Sequence, residues 1–131
     1  MHPIVVYVDG GCRNNGSPDS LSYGSFRVFY RGDLKRTVTF DLPDAHTNNQ
    51  AEYNSLMQVA LYLEGDPKRL SAPVVIKSDS QLVVGQLTQG WKVKDEGLKY
   101  WYLNLRPFFT RNPNICLEKV DRAEIVKVLG H

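Results

Sequence analysis

Ile4-Val5-Val6-Tyr7-Val8 runs directly into Asp9-Gly10-Gly11. The apolar, β-branched run reads as a buried strand, and Asp-Gly-Gly reads as the turn that ends it. Further along, Val74-Val75-Ile76 forms a second short buried strand that runs into Ser78-Asp79. If these two strands are parallel neighbours, Asp9 and Asp79 share one edge of the sheet. The rest of the chain is read around that pair.

Residues 12–20 have the composition of a loop. Residues 21–30 and 34–42 carry Tyr, Phe, Val and Thr in partial alternation, with Arg31-Gly32-Asp33 between them, and so resemble a hairpin. Thr47-Asn48-Asn49-Gln50 fits a capping box, and Leu56, Val59, Ala60 and Leu63 continue it at helical spacing to about Glu64. Gly65-Asp66-Pro67 ends that helix. Leu82, Val83, Gln86 and Leu87 predict a second helix finishing near Gly90. Residues 96–111 predict a third, with a kink or early end at Pro107. Ile115 to Val120 reads as a last strand, and Asp121, with Glu124 three residues on, caps a final helix. The order predicts an α/β fold: a mixed five-stranded sheet, its first three strands antiparallel, with helices on both faces.

At 131 residues and 14.9 kDa the chain is one domain, residues 1–131. Its 42% hydrophobic and 23% charged residues exclude a disordered tail, a collagen-like repeat or a coiled coil. No apolar run approaches the roughly 20 residues that cross a bilayer, so no membrane partner is expected. The start lacks a signal peptide's pattern. Cys12 and Cys116 make no disulfide framework and no zinc spacing, which suits a reducing cytoplasm. The net charge is +2, divided unevenly. Residues 1–90 hold 8 Lys and Arg against 9 Asp and Glu; residues 91–131 hold 8 against 5. A mildly basic C-terminal third suits a phosphate-bearing partner, and equally suits an ordinary surface.

Taken singly, the acids have plain explanations. Asp9 can be a turn residue, Glu52 can serve the helix dipole, and Asp79 can cap the second helix. Taken together, Asp9, Glu52 and Asp79 would converge without basic partners and repel one another at neutral pH. Divalent cations relieve that, and an oxygen-rich site suits Mg²⁺ or Mn²⁺.

Asp9-Gly10-Gly11-Cys12-Arg13-Asn14-Asn15-Gly16 resembles the first motif of ribonuclease H, type 1. Thr47-Asn48-Asn49-Gln50-Ala51-Glu52-Tyr53 resembles its second, and Ser78-Asp79-Ser80-Gln81-Leu82-Val83 its third. Trp91-Lys92-Val93-Lys94 also looks like the family, in its short archaeal-like form without a basic protrusion. The resemblance covers nearly the whole chain and implies a ribonuclease H-like fold.

It also implies an activity: metal-dependent endonucleolytic hydrolysis of the RNA strand of RNA–DNA hybrids, giving 5′-phosphate and 3′-hydroxyl ends. Asp9, Glu52 and Asp79 match the family's metal-binding acids, with two ions per site in the substrate complex. Asn15, Asn48 and Gln81 match residues that touch RNA bases and 2′-hydroxyls; an amide can both donate to a 2′-OH and accept from it. Thr47 matches a DNA-phosphate contact. Trp91 resembles an aromatic that packs on DNA sugars, although a partly buried core role suits it too. Lys92 and Lys94 would bind phosphates, or form a solvated edge. Tyr100-Trp101-Tyr102 reads as core more than as a nucleic-acid platform.

The family's fourth acid, on the last helix, is missing. Val120 and Arg122 fit the start of its pattern, but Ile125 and Leu129 stand where asparagine and the acid are expected. His131, by its imidazole or its terminal carboxylate, or Glu124, could fill the gap; otherwise three acids suffice. A histidine there could also assist product release. Two rivals remain: a non-catalytic hybrid-binding module, and another nuclease of this fold acting on DNA. A monomer with no obligatory protein partner is the expectation.

Overall fold

The computed structural model describes residues 2–130. Its strands are β1 (Ile4–Arg13), β2 (Leu21–Tyr30), β3 (Asp33–Asp41), β4 (Val74–Ser78) and β5 (Ile115–Lys119). Its helices are α1 (Asn48–Glu64), α2 (Pro67–Ser71), α3 (Gln81–Thr88), α4 (Glu96–Arg111) and α5 (Arg122–Leu129). The strands form one sheet in the order β3-β2-β1-β4-β5. β1, β2 and β3 are antiparallel; β4 runs parallel to β1, and β5 parallel to β4.

The two faces of the sheet follow from side-chain alternation. Phe26 faces α1, its ring 5.5 Å from that of Tyr62. On the other face Arg27 Nη1 donates to the Val128 carbonyl of α5 at 2.9 Å, and Lys77 pairs with Glu124. The helices therefore cover both faces, as the element order predicts. Val6, Val8, Phe26, Leu56, Val59, Leu63 and Ile76 are buried between the sheet and α1. α4 adds Leu98, Trp101, Leu105 and Phe108, a single stripe at helical spacing.

The structure corrects several local expectations. β1 does not turn at Gly10-Gly11; it stays paired with β2 as far as Arg13↔Leu21. A Cβ on Gly10 would lie 2.4 Å from the Ala51 carbonyl oxygen and 2.6 Å from Ser55 Oγ. This glycine is present to let α1 lie against the strand, not to bend the chain. Gly65-Asp66-Pro67 ends α1 and also starts α2. Asp66 accepts from Lys68 N at 2.9 Å, and Pro67 occupies the first helical turn. α4 continues through Pro107 to Arg111. Pro107 has no N–H to give the Leu103 carbonyl, and Leu103 lies on the solvent side of the helix, 65% exposed. Asp121 holds the N-cap position of α5, but its side chain accepts no capping hydrogen bond. Among the described residues, no helix is long and apolar enough to cross a membrane.

Candidate active site

β1 and β4 run parallel in a register that pairs Tyr7 with Lys77. Two residues further along, Asp9 within β1 and Asp79, the residue that follows β4, stand side by side. The third acid comes from α1. Thr47 caps that helix by accepting from Gln50 N at 3.1 Å, while Gln50 Oε1 accepts from His46 N at 2.7 Å. The reciprocal bond thus reaches one residue further back than a capping box requires. One turn in, Glu52 overhangs the sheet edge, where Gly10 N donates to its Oε1 at 3.3 Å. Each of Asp9, Glu52 and Asp79 offers a carboxylate oxygen, and these oxygens all lie within 4.8 Å of one another.

Crowding three carboxyls shapes their electrostatics. Burial, helped by the Asp9 charge, a hydrogen bond with Asp9 and the charge of Asp79, pushes the Glu52 carboxyl up to about 10. The Gly10 N–H acts against that shift. Without a cation Glu52 therefore holds a proton at neutral pH. Arg122, the first residue of α5, supplies one fixed positive charge. Its Nη1 donates to Asp9 Oδ2 at 2.8 Å and to Asp79 Oδ2 at 3.0 Å. Those bonds push its guanidinium pKa above its already high ordinary value. Sequence reading placed Arg122 only in the opening of a family pattern and missed its role. Nothing local to residue 122 marks it, since its partners lie 43 and 113 residues away. Three hard carboxylate oxygens at this spacing fit a divalent cation such as Mg²⁺ or Mn²⁺.

The acids and Arg122 line a groove of about 590 Å³, shared with Asn48, Ser80 and Gln81. Asn48 N donates to Asn15 Oδ1 at 2.8 Å, and Asn48 Oδ1 accepts from Cys12 N at 2.8 Å. These bonds tie the end of β1 and the loop after it to the start of α1. Trp91, Lys92 and Lys94 do not line this groove; they follow the C-terminal end of α3, with Trp91 39% exposed. In the aromatic run Trp101 is buried and Tyr100 is exposed, so only part of it is core. Ile125 and Leu129, which stand where the resemblance leads one to expect asparagine and the acid, are buried. Glu124 pairs with Lys77 at 3.8 Å instead of joining the acids. His131 lies outside the described residues. Both cysteines are free thiols.

Residues 1–128 match the family model described as RNase H. The chain belongs to the RNase H family. It is 26% identical over 140 residues to a ribonuclease H of Clostridium botulinum, spanning all of this chain and 85% of that protein. A ribonuclease HI of Halobacterium salinarum is 30% identical over 121 residues, which cover 92% of this chain and 57% of that protein. The crystal structure of RNase H1 from that archaeon superposes with a TM-score of 0.79 at 25% identity, covering 94% of this chain and 89% of that one. LC11-RNase H1, isolated from compost, superposes with a TM-score of 0.85 at 24% identity, covering 99% and 92%. Its complex with an RNA/DNA hybrid gives 0.81 at 24%, covering 95% and 89%. The type 1 motifs and the family agree, and the chain is an endoribonuclease of the RNase H family.

Proposed function

We propose that this member of the RNase H family hydrolyses the RNA strand of RNA–DNA hybrids, leaving 5′-phosphate and 3′-hydroxyl ends. The observation that carries the reading is the group of Asp9, Glu52 and Asp79, with ligand oxygens within 4.8 Å, in a groove that Asn48 and Gln81 also line. A relative of this fold is known in complex with an RNA/DNA hybrid. Two Mg²⁺ or Mn²⁺ ions bound by the three acids would activate water and stabilise the leaving 3′ oxygen.

The other residues act on the substrate. The amides of Asn15, Asn48 and Gln81 recognise the RNA strand through its 2′-hydroxyls, the groups that DNA lacks. Thr47 takes a DNA phosphate. Trp91 supports the DNA sugars, and Lys92 and Lys94 neutralise phosphates. His131 remains the candidate fourth group, attending product release. The same reading has the protein acting as a monomer in a reducing cytoplasm, which suits the free thiols of Cys12 and Cys116.

The test is cleavage of a labelled RNA–DNA hybrid with Mg²⁺ and with Mn²⁺, beside Asp9→Asn, with duplex DNA and single-stranded RNA in parallel. RNA-strand cleavage that needs metal and is lost in Asp9→Asn is expected. Tight hybrid binding without cleavage would make the protein a binding module. Cleavage of duplex DNA would make it a different nuclease.

A further inference from the structure

The residues proposed to grip the DNA strand, 91–94, belong to no regular element, yet three hydrogen bonds and one close contact fix the segment that holds them. Trp91 N donates to the Gly85 carbonyl of α3 at 3.2 Å. Its indole lies directly on Gly85, where a Cβ would be 2.2 Å from a ring carbon. One residue along α3, Gln86 Nε2 donates to the Lys92 carbonyl at 3.4 Å. Beyond the segment, Gln50 Nε2 of α1 donates to the Gly97 carbonyl at 3.4 Å.

Gln86 stands apart because it is 3% exposed, among Val83, Val84 and Leu87, which are all buried. Burying an amide there costs desolvation that a leucine would avoid, so its hydrogen bonds have to explain it. Its Oε1 accepts from the hydroxyl of Tyr53 at 2.5 Å. Tyr53 is fully buried and follows Glu52 directly in α1. A buried chain therefore runs from the helix that carries Glu52, through Tyr53 and Gln86, to the backbone of Lys92.

We infer that Gln86, oriented by Tyr53, is a positioning residue that holds the Trp91-Lys92 segment at a set distance from the acid cluster and thereby sets affinity for the hybrid. The inference rests on the reading that residues 91–94 bind the hybrid. Gln86 touches neither the acids nor the substrate; it acts through the backbone it holds. Hydrogen-bonded buried networks of this kind favour one arrangement over its alternatives. A single arrangement of Trp91 and Lys92 avoids ordering them anew at each binding event.

Gln86→Leu and Tyr53→Phe test this against the unaltered protein. Hybrid affinity is read by fluorescence anisotropy of a labelled RNA–DNA duplex, turnover by Mn²⁺-supported cleavage, and folding by thermal melting. Gln86→Leu is expected to raise Kd and KM for the hybrid about fivefold, the loss of roughly one net hydrogen bond. Tyr53→Phe should move both the same way. The kcat and the Mn²⁺ concentration for half-activity should stay unchanged. A merely structural role would lower the melting temperature and leave KM alone; that result, or a fall in kcat at constant KM, overturns the inference. Should Gln86→Leu fail to fold, Tyr53→Phe, which removes a single oxygen atom, decides alone. If the unaltered protein neither binds nor cuts the hybrid, the proposed function itself fails. If it does both and the two variants match it, only the role of Gln86 fails.

Discussion

Arg122 holds Nη1 2.8 Å from Oδ2 of Asp9, across 113 residues of chain. The same nitrogen reaches Asp79 at 3.0 Å, so one guanidinium occupies a face of the carboxylate cluster. A divalent cation drawn to the same carboxylates would have to compete with that charge. Arg122→Ala should bind Mn²⁺ about three- to tenfold more tightly, a change of about 1 kcal/mol by the usual conversion. Isothermal titration without nucleic acid checks it, and unchanged or weaker binding would show that the guanidinium does not compete. The metal-free variant should also melt earlier, because the buried Asp9 carboxylate loses its charged partner.

Glu52 makes the metal-free protein sensitive to alkali. Its carboxyl ionises near 4.5 in the unfolded chain and is pushed up to about 10 in the fold. Between those values the native state binds the extra proton, so stability is highest below 4.5 and falls as pH rises through the window. The metal-free melting temperature should therefore decline from pH 5 to pH 9, and Glu52→Gln should flatten the decline. A pH-independent melting temperature in the unaltered protein would contradict this.

The same proton must leave when a cation binds. At pH 7, well inside the window from 4.5 to about 10, Mn²⁺ binding should release about one proton. Titrations in two buffers of different ionisation enthalpy measure the release directly. Loss of that release in Glu52→Gln would assign it to this residue.

Gly10→Ala tests the close approach of α1 to β1. The new methyl would meet the Ala51 carbonyl oxygen at 2.4 Å, which is backbone and cannot rotate away. Overpacking of this kind costs about 1–3 kcal/mol. Chemical denaturation should show a loss in that range. Activity should fall as well, because the helix that must shift carries Glu52.

Lys92→Ala and Lys94→Ala separate phosphate contacts from an idle charged edge. Each lysine that neutralises a phosphate should, when removed, lower the slope of log affinity against log salt by about 0.7 to 0.9. A slope unchanged by either substitution would return both lysines to the solvated surface.

Much of the architecture is local, and so is legible in the sequence. The β-branched run of β1, the Thr47 cap, the apolar spacing of α1 and the Ser78-Asp79 ending of β4 are each encoded within a few residues. With β1 and β4 parallel, those signals already bring Asp9 beside Asp79, and Glu52 needs only one turn of α1 to join them. Misreadings came where one local pattern serves two structures. Asp9-Gly10-Gly11 has the composition of a turn, but its glycine hydrogens make room for Ala51 and Ser55. Gly65-Asp66-Pro67 stops one helix with the residues that start another.

The order of elements and the identity of the three acids thus follow from short-range patterns of hydrophobicity, capping and strand endings. Long-range packing supplied the rest. Docking α1 on one face and α5 on the other carries Arg122 onto Asp9 and Asp79, turns Ile125 and Leu129 inward, and commits Glu124 to Lys77. It buries Glu52 enough to keep a proton and joins Tyr53 to Gln86 across 33 residues. Such properties depend on distances between segments far apart in sequence and on the loss of water between them. A local pattern encodes neither.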